Sequence, residues 1–415
     1  MNLTHRLIFA TLTLAAIASS ASAEQREFVV SYWYGPPPKF TTIEHYRRIK
    51  EANFNVVFPP RALDPTLTVE QNLAVLDLCR TLQMRAVVHD PRMPRSLAGP
   101  GAKGVIDAIV ADYHRHPALM AYFITDEPSA ADFPGLGEVA AYLKAKDPNH
   151  PAYINLFPTY ADPATQLGAP TYEEHVDRFV KAVDPFVISY DHYPFINGSD
   201  RPDYFTNFAI IRNASIATKR PFWNIAQVVK HYDYRALTEP ELRFQAMQTL
   251  AFGGKGLLWY TYWYPGEPNS PVDHSMIAYD GTPTRVYEWI KAINADARAM
   301  GNQLIDCESW ATFHTGEPVQ YAPPAKTPIS IEGTGRFTTG VFRASDGKTV
   351  TLITNRDYTK PIRAAVRVLP AGAALEKFDP AATTWSPAVL DAGGRLSVDL
   401  PAGAGVLIRW AGPRL

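Results

Sequence analysis

The chain has 415 residues, of which 46% are hydrophobic and 20% charged, so it is long enough for a large core and for more than one domain. The formal net charge is −1 and no run of Lys or Arg stands out, which argues against nucleic acid or an anionic membrane as a partner. The chain contains 21 Tyr and 8 Trp, residues whose aromatic faces can stack on sugar rings. The composition therefore favours a neutral small molecule or polymer as the partner.

Residues 1–23 have the pattern of a secretory signal peptide. Arg6 precedes a mainly apolar run over 7–17, and Ala21-Ser22-Ala23 supplies the small residues of a cleavage site. The apolar run is too short to span a bilayer. We expect a protein that is secreted or periplasmic, that begins near Glu24 once the signal is removed, and that is not membrane-associated afterwards.

The chain has two cysteines, Cys79 and Cys307. After export they could form one disulfide, and they could equally remain as two unpaired buried thiols. No C-x-x-C pattern of a metal or redox site is present.

From residue 28 onwards, strand-like runs alternate with helix-like runs. The predicted strands are 28–33, 54–58, 85–90, the run within 119–128, 152–156, 186–190, 222–227 and 256–263. Thr238-Glu239-Pro240-Glu241 is typical of a helix start, and Gly253-Gly254 of a helix end. Eight strand–helix units over about 270 residues predict an α/β fold of the (β/α)8 or TIM-barrel type, occupying residues 24–309.

After about Trp310 the helical patterns end. Short β-rich runs, such as 349–354 and 405–410, alternate with turns rich in Gly, Pro, Asp and Ala. Residues 310–415 are therefore predicted to form a small antiparallel β-sandwich. Because this region carries no cluster of carboxylates, we expect it to brace the barrel.

The most informative stretch is Leu119–Pro128. Six apolar or aromatic residues suit a strand buried on both faces, and the strand then delivers two adjacent carboxylates, Asp126 and Glu127. Pro128 ends the strand. Active sites of parallel barrels form at the C-terminal ends of their strands, so this acid pair indicates catalysis.

The other predicted strands also end in polar or aromatic residues. On a barrel these residues would converge near the same rim: Tyr34, His89, Asp90, Asp126, Glu127, Asn155, Asp191, His192, Tyr193, Gln227, Trp259 and Tyr262. The set lacks the cations or Gly-rich loop of a phosphate site. A metal-dependent hydrolase is a weaker alternative, because His89, Asp90, Asp191 and His192 could approach one another but have no H-E-x-x-H spacing. We expect no metal or other cofactor.

Cleavage of a glycosidic bond requires one carboxylic acid with a raised pKa and a second carboxylate. Glu127 is the predicted general acid, and the neighbouring Asp126 would raise its pKa because two adjacent carboxylates resist joint ionisation. The predicted catalytic residues are therefore Glu127, Asp191 and Asp126. The residues predicted to stack on or hydrogen-bond to the substrate are Tyr34, His89, Asn155, His192, Tyr193, Gln227, Trp259 and Tyr262.

Asp-Glu-Pro at the end of strand four and the aromatic run 258–263 resemble the TIM-barrel glycoside hydrolases over residues 28–304. The retaining clan that includes β-galactosidases and cellulases has its acid/base Glu at the end of strand four, usually after Asn, and its nucleophile Glu at the end of strand seven. Glu127 matches the first position, with Asp126 in place of Asn. Gln227 stands where the nucleophile is expected, so the resemblance does not supply the second carboxylate.

Three explanations of this departure remain open. Asp191, at the end of strand six, could act as nucleophile or base opposite Glu127. Alternatively, Asp126-Glu127 resembles the pair of N-acetylhexosaminidases in which Asp orients the substrate acetamido group and Glu is the acid. Gln227 could also indicate a non-catalytic carbohydrate-binding barrel. Glu267, in the loop after strand eight, is either solvated or directed into the site. The sequence as a whole predicts an exported glycoside hydrolase.

Overall fold

The computed structural model describes residues 26–59, 65–266 and 274–413; the predicted signal peptide and Glu267 lie outside these ranges. Eight parallel strands form one sheet in the order β1-β8-β7-β6-β5-β4-β3-β2. Their bounds are β1 Val29–Trp33, β2 Val56–Val57, β3 Arg85–His89, β4 Leu119–Asp126, β5 Ala152–Leu156, β6 Ile188–Asp191, β7 Phe222–Gln227 and β8 Gly256–Tyr260. The predicted (β/α)8 barrel is confirmed.

A helix follows each strand. The helices are α1 Ile43–Glu51, α2 Val69–Thr81, α3 Ala102–Tyr113, α4 Phe133–Lys146, α5 Tyr172–Val183, α6 Tyr204–Thr218, α7 Glu239–Ala251 and α8 Arg285–Leu304. Between β6 and α6 the chain also forms a two-stranded hairpin, Phe195–Ile196 with Ser199–Asp200. This hairpin covers the end of β7 and affects the site described below.

The barrel closes between β1 and the two-residue strand β2 through Asn55. The Val30 amide donates to Asn55 Oδ1 at 2.8 Å, and the Asn55 amide donates to Val30 O at 3.1 Å. Ser31 Oγ adds a bond to Val56 O at 2.8 Å. The Asn55 side chain thus accepts a hydrogen bond from β1 that the backbone of a longer β2 would otherwise accept.

The C-terminal region is a β-sandwich, as predicted. Its strands are β9 Glu308–Thr315, β10 Ile329–Glu332, β11 Phe337–Arg343, β12 Thr349–Asn355, β13 Ile362–Val368, β14 Glu376–Asp379, β15 Thr384–Pro387, β16 Leu396–Leu400 and β17 Gly405–Trp410. They form a six-stranded sheet, β9-β11-β12-β17-β14-β15, and a three-stranded sheet, β10-β13-β16. Apolar side chains of both sheets, including Phe337, Val366 and Trp410, share one core between them.

The barrel and the sandwich meet along α7. Ten of its thirteen residues are buried, because one face packs on the barrel and another on the six-stranded sheet. Gln248 Nε2 donates to Thr354 Oγ1 at 3.0 Å across this contact. A Cβ atom added at Gly340 would lie 2.2 Å from the carbonyl oxygen of Ala251, so the two backbones touch. The helix begins as the sequence predicts, with Thr238 and Glu241 capping each other.

Cys79 and Cys307 are both free and buried, so the two do not form a disulfide. Within the described part of the chain, no helix is long and apolar enough to cross a membrane.

Candidate active site

A cavity of about 350 Å³ opens at the C-terminal ends of the barrel strands. Six of the predicted site residues line it: Tyr34, Asp126, Glu127, Asn155, Asp191 and Tyr193. They come from β4, β5 and β6 and from the loops after β1, β4 and β6. Of the described lining residues, none is Lys or Arg, so the cavity is acidic and aromatic.

Three carboxyl groups meet in this cavity. Glu127 lies next to Asp191, at the end of β6, close enough for each carboxyl group to shift the pKa of the other. Asn155 Nδ2 donates to Asp191 Oδ1 at 2.8 Å and to Asp126 Oδ1 at 3.1 Å. One amide group therefore holds two carboxylates, and one of these two is the partner of Glu127.

Asn155 is itself fixed by buried neighbours. Its Oδ1 accepts a bond from Ser189 Oγ at 3.0 Å, and Ser189 Oγ is 2.7 Å from the Tyr153 hydroxyl. The backbone oxygen of Asn155 accepts from the Glu127 amide at 2.9 Å. Because Ser189 occupies the Oδ1 side, the Nδ2 group must face the two carboxylates.

Burial is the first cause of raised pKa values in the cluster. It raises the pKa of Asp126 to about 6, against a bond from Asn155 that lowers it. Burial, then the charges of Asp191 and Asp126, raise the pKa of Glu127. Burial and Asp126 also raise the pKa of Asp191, but the bond with Glu127 acts in the opposite direction there. Burial and neighbouring negative charge thus raise the pKa of both Glu127 and Asp191, which favours a single proton shared by the pair.

Three of the described residues that line the cavity have strained backbones. Glu127 has a φ of 45°, Tyr34 a φ of 55° and Tyr232 a φ of 50°, in the left-handed region that non-glycine residues seldom adopt. Such a conformation costs about 1 kcal/mol or more and persists where the surrounding structure imposes it.

The walls of the cavity are mainly tyrosines. Tyr193 stacks on Tyr260 with ring centroids 5.1 Å apart, and Tyr34 lies 5.9 Å from the same ring. Eleven further described residues line the cavity and were not predicted from the sequence: Trp33, Phe157, Pro158, Tyr160, Ala161, Gln166, Ile225, His231, Tyr232, Tyr234 and Tyr260. Tyr260 and Trp33 end their strands, so strand alternation was the signal that could have found them.

The two aromatic residues predicted from strand eight lie elsewhere. Trp259 is fully buried and donates its Nε1–H to Asn294 Oδ1 of α8 at 2.8 Å, outside the barrel wall. Tyr262 is buried against Tyr32, with ring centroids 4.7 Å apart. Successive residues of a strand face opposite sides, so Trp259 faces the helices and its neighbour Tyr260 faces the cavity.

Gln227 also lies away from the cavity. It is fully buried; Oε1 accepts from the Phe195 amide at 3.0 Å and Nε2 donates to the Phe195 oxygen at 2.9 Å. Its side chain thus holds the hairpin that follows β6. Gln227, at the position where the nucleophile is expected, therefore uses both polar atoms of its side chain to bind the backbone of Phe195.

The two predicted histidines are buried outside the lining. The His89 ring packs edge-on against Phe123 at 5.7 Å. His192 Nε2 lies 3.4 Å from Asp203 Oδ1, and its ring contacts Tyr160 at 5.0 Å. His192 therefore supports a wall of the cavity from behind.

The structure does not gather the residues considered for a metal. Asp90 accepts bonds from Arg92 Nη2 at 2.7 Å and from the Tyr113 hydroxyl at 2.9 Å, away from Asp191. Within the ranges described above, no group of three or more His, Cys, Asp or Glu side chains is placed to hold a metal ion.

An eight-stranded barrel with carboxyl groups and aromatic walls at its C-terminal rim has the architecture of the TIM-barrel glycoside hydrolases. Solved structures of that class resemble the chain. They include a β-galactosidase from Bacillus circulans sp. alkalophilus (TM-score 0.64, 10% identity, 94% of this chain and 100% of that one). A catalytic mutant of the GH42 β-galactosidase Gan42B from G. stearothermophilus has a TM-score of 0.62 and 8% identity, and the match covers 93% of this chain and 98% of that one. A family 5 glycoside hydrolase from Bacteroides vulgatus has a TM-score of 0.55 and 10% identity, and the match covers 92% of this chain and 88% of that one.

No protein-family model and no curated protein sequence matches the chain significantly. At 8–10% identity, the structural similarity establishes the fold. The roles of individual residues follow from the geometry of this site.

Proposed function

We propose that the protein is an exported glycoside hydrolase that cleaves O-glycosidic bonds of an oligo- or polysaccharide. The observation that carries this proposal is the neighbouring carboxyl pair Glu127 and Asp191 in an aromatic-walled cavity at the barrel rim. The fold shared with β-galactosidases and a family 5 glycoside hydrolase supports it. Export rests on the signal-like sequence of residues 1–23.

Glu127 is the proposed general acid. Its raised pKa keeps it protonated at neutral pH, as a group that protonates a leaving oxygen must be. Asp191 is the proposed partner carboxylate. Inverting enzymes separate their carboxyl groups by ~6.5–9.5 Å to admit a water molecule, and retaining enzymes by ~5–5.5 Å. The two carboxyl groups are near enough to shift each other's pKa, which a water-filled gap between them would weaken, and this favours retention with Asp191 as nucleophile.

Asp126 supports a second version of the mechanism. It is partly buried and is held by the same amide as Asp191. In that position it could accept a hydrogen bond from the acetamido group of a substrate, whose carbonyl oxygen would then attack the anomeric carbon. The tyrosine walls would suit the acetamido methyl group. In both versions Glu127 is the acid, so the choice of sugar decides between them.

The test is the release of a chromophore from aryl N-acetylhexosaminides, galactosides, glucosides and arabinosides. Glu127→Gln should lose at least about a hundredfold in turnover. Glu138→Gln is the matched control, because Glu138 is exposed on α4 and should leave turnover unchanged. Cleavage of acetamido sugars alone would select the Asp126 version, and cleavage of a sugar without that group would select Asp191 as nucleophile.

Undiminished turnover in Glu127→Gln would refute the assignment of the acid. Absence of turnover on every member, together with measurable binding of oligosaccharides, would instead support a carbohydrate-binding barrel. Both results require the variants to retain the thermal transition of the wild type, which calorimetry would establish.

A further inference from the structure

Tyr232 is an exposed aromatic residue at the edge of the cavity. It lines the cavity, yet 83% of its surface is accessible. The other tyrosines of the walls are half-buried or buried. Tyr232 therefore stands at the mouth, where a ligand that extends out of the cavity would meet it.

The backbone holds Tyr232 in this position. The turn 231–234 is closed by a bond from the Tyr234 amide to His231 O at 2.8 Å, and another runs from the His231 amide to Tyr234 O at 3.3 Å. Tyr232 has a φ of 50°, which is strained for a residue with a side chain. The His231 ring lies 4.1 Å from the Tyr232 ring and supports it from one side.

The turn is also anchored to the hairpin after β6. The Asn197 amide donates to Asp233 O at 2.7 Å, and Arg201 Nη2 lies 3.4 Å from Asp233 Oδ2. The hairpin in turn is held by the bonds between Gln227 and Phe195. Tyr232 is thus a large ring on an anchored turn, with its outer face left to solvent.

The size of the cavity indicates what would cover that face. Its volume of about 350 Å³ is near the lower end of the range for small-molecule sites, roughly 300–1,000 Å³. The carboxyl groups lie inside it and Tyr232 lies at its mouth. A substrate with the cleaved sugar inside must therefore direct its leaving group outwards, past Tyr232.

We infer that Tyr232 is the stacking platform of a leaving-group subsite, which binds the apolar face of the sugar ring beyond the cleaved bond. This inference rests on the proposed function. A ring with only two side-chain torsions, held on a fixed turn, binds a flat face at a low entropic cost. The natural substrate is then at least a disaccharide, with a sugar as its leaving group.

The experiment compares two substrates that carry the sugar selected by the aryl-glycoside panel. One is its glycosyl fluoride, whose leaving group is a single atom, and the other is its 4-linked disaccharide with glucose. In Tyr232→Ala, kcat/KM for the disaccharide should fall about tenfold more than kcat/KM for the fluoride. Tyr232→Phe keeps the ring and should restore the wild-type ratio. Tyr142→Ala, at a half-buried tyrosine of α4 that does not line the cavity, is the matched control and should leave the ratio unchanged.

A second readout does not depend on turnover. Chito-, gluco- and galacto-disaccharides and the corresponding monosaccharides are titrated calorimetrically into Glu127→Gln and into the double variant with Tyr232→Ala. Weaker binding of a disaccharide, with smaller change for its monosaccharide, supports the subsite. If Tyr232→Ala weakens binding of the disaccharides alone, and the wild type cleaves no substrate, the proposed hydrolase activity is refuted and the sugar subsite is still supported. Cleavage with an unchanged substrate ratio in Tyr232→Ala, or no binding at all, would overturn the subsite.

Discussion

Glu127 follows β4 and Asp191 ends β6, and their carboxyl groups lie close enough in the acidic cavity to shift each other's pKa. Two carboxyl groups in such contact share a proton rather than ionising together. Two neighbours change the pKa of Asp191 in opposite directions: the charge of Asp126 raises it, and the hydrogen bond from Asn155 lowers it. They should therefore shift the pH dependence of catalysis in opposite directions.

Asp126→Asn should shift the pH profile of kcat/KM to lower pH. The charge of Asp126 raises the pKa of Glu127 and of Asp191, so without it Glu127 loses its proton and Asp191 ionises at lower pH. Both limbs of the profile should shift by about one pH unit towards acid. Asp177→Asn, on the exposed face of α5, is the control and should leave the profile unchanged. A shift towards alkaline pH would contradict the proposed roles.

Asn155→Leu should shift the acidic limb of the pH profile to higher pH. The Asn155 amide lowers the pKa of Asp126 and Asp191 by bonding to their ionised forms, and leucine has a similar volume but no donor. The fraction of ionised Asp191 at a given acidic pH should fall, and kcat should fall with it. A reduced kcat with an unmoved acidic limb would mean that Asn155 has a packing role alone.

Gln227→Glu should destabilise the protein and should not increase turnover. Glutamate at this site would lose the bond to the Phe195 oxygen and would place a charge where the side chain is fully buried. The expected loss is about 2–4 kcal/mol in the free energy of unfolding, measured by urea denaturation. The exposed Gln83→Glu serves as the control. A gain in turnover would show that strand seven can supply a nucleophile after all.

Gly340→Ala should weaken the contact between barrel and sandwich. The added methyl group would lie 2.2 Å from the Ala251 carbonyl oxygen, so α7 or the sheet must move. We expect a loss of about 1–3 kcal/mol. Gly104→Ala, on the exposed side of α3 with no atom within 4 Å, should be neutral or stabilising by up to ~1 kcal/mol. Equal melting temperatures for the two variants would contradict a close-packed interface.

The sequence alone was sufficient for the barrel, the sandwich and the position of Glu127 at the rim. These follow from local patterns: apolar runs that suit strands buried on both faces, helix caps such as Thr238 with Glu241, and carboxylates placed where a strand ends. Such patterns act within a few residues of the chain, so they can be read without knowing which elements become neighbours.

The tertiary structure decided which strand-end residues face one another. The orientation of β8 directs Tyr260 to the cavity and Trp259 to α8, and the hairpin after β6 takes both polar groups of Gln227. The bridge from Asn155 to Asp126 and Asp191 joins three different strands. These contacts depend on the stagger of the strands and on the path of an inserted hairpin, and both are set by packing between residues far apart in the sequence.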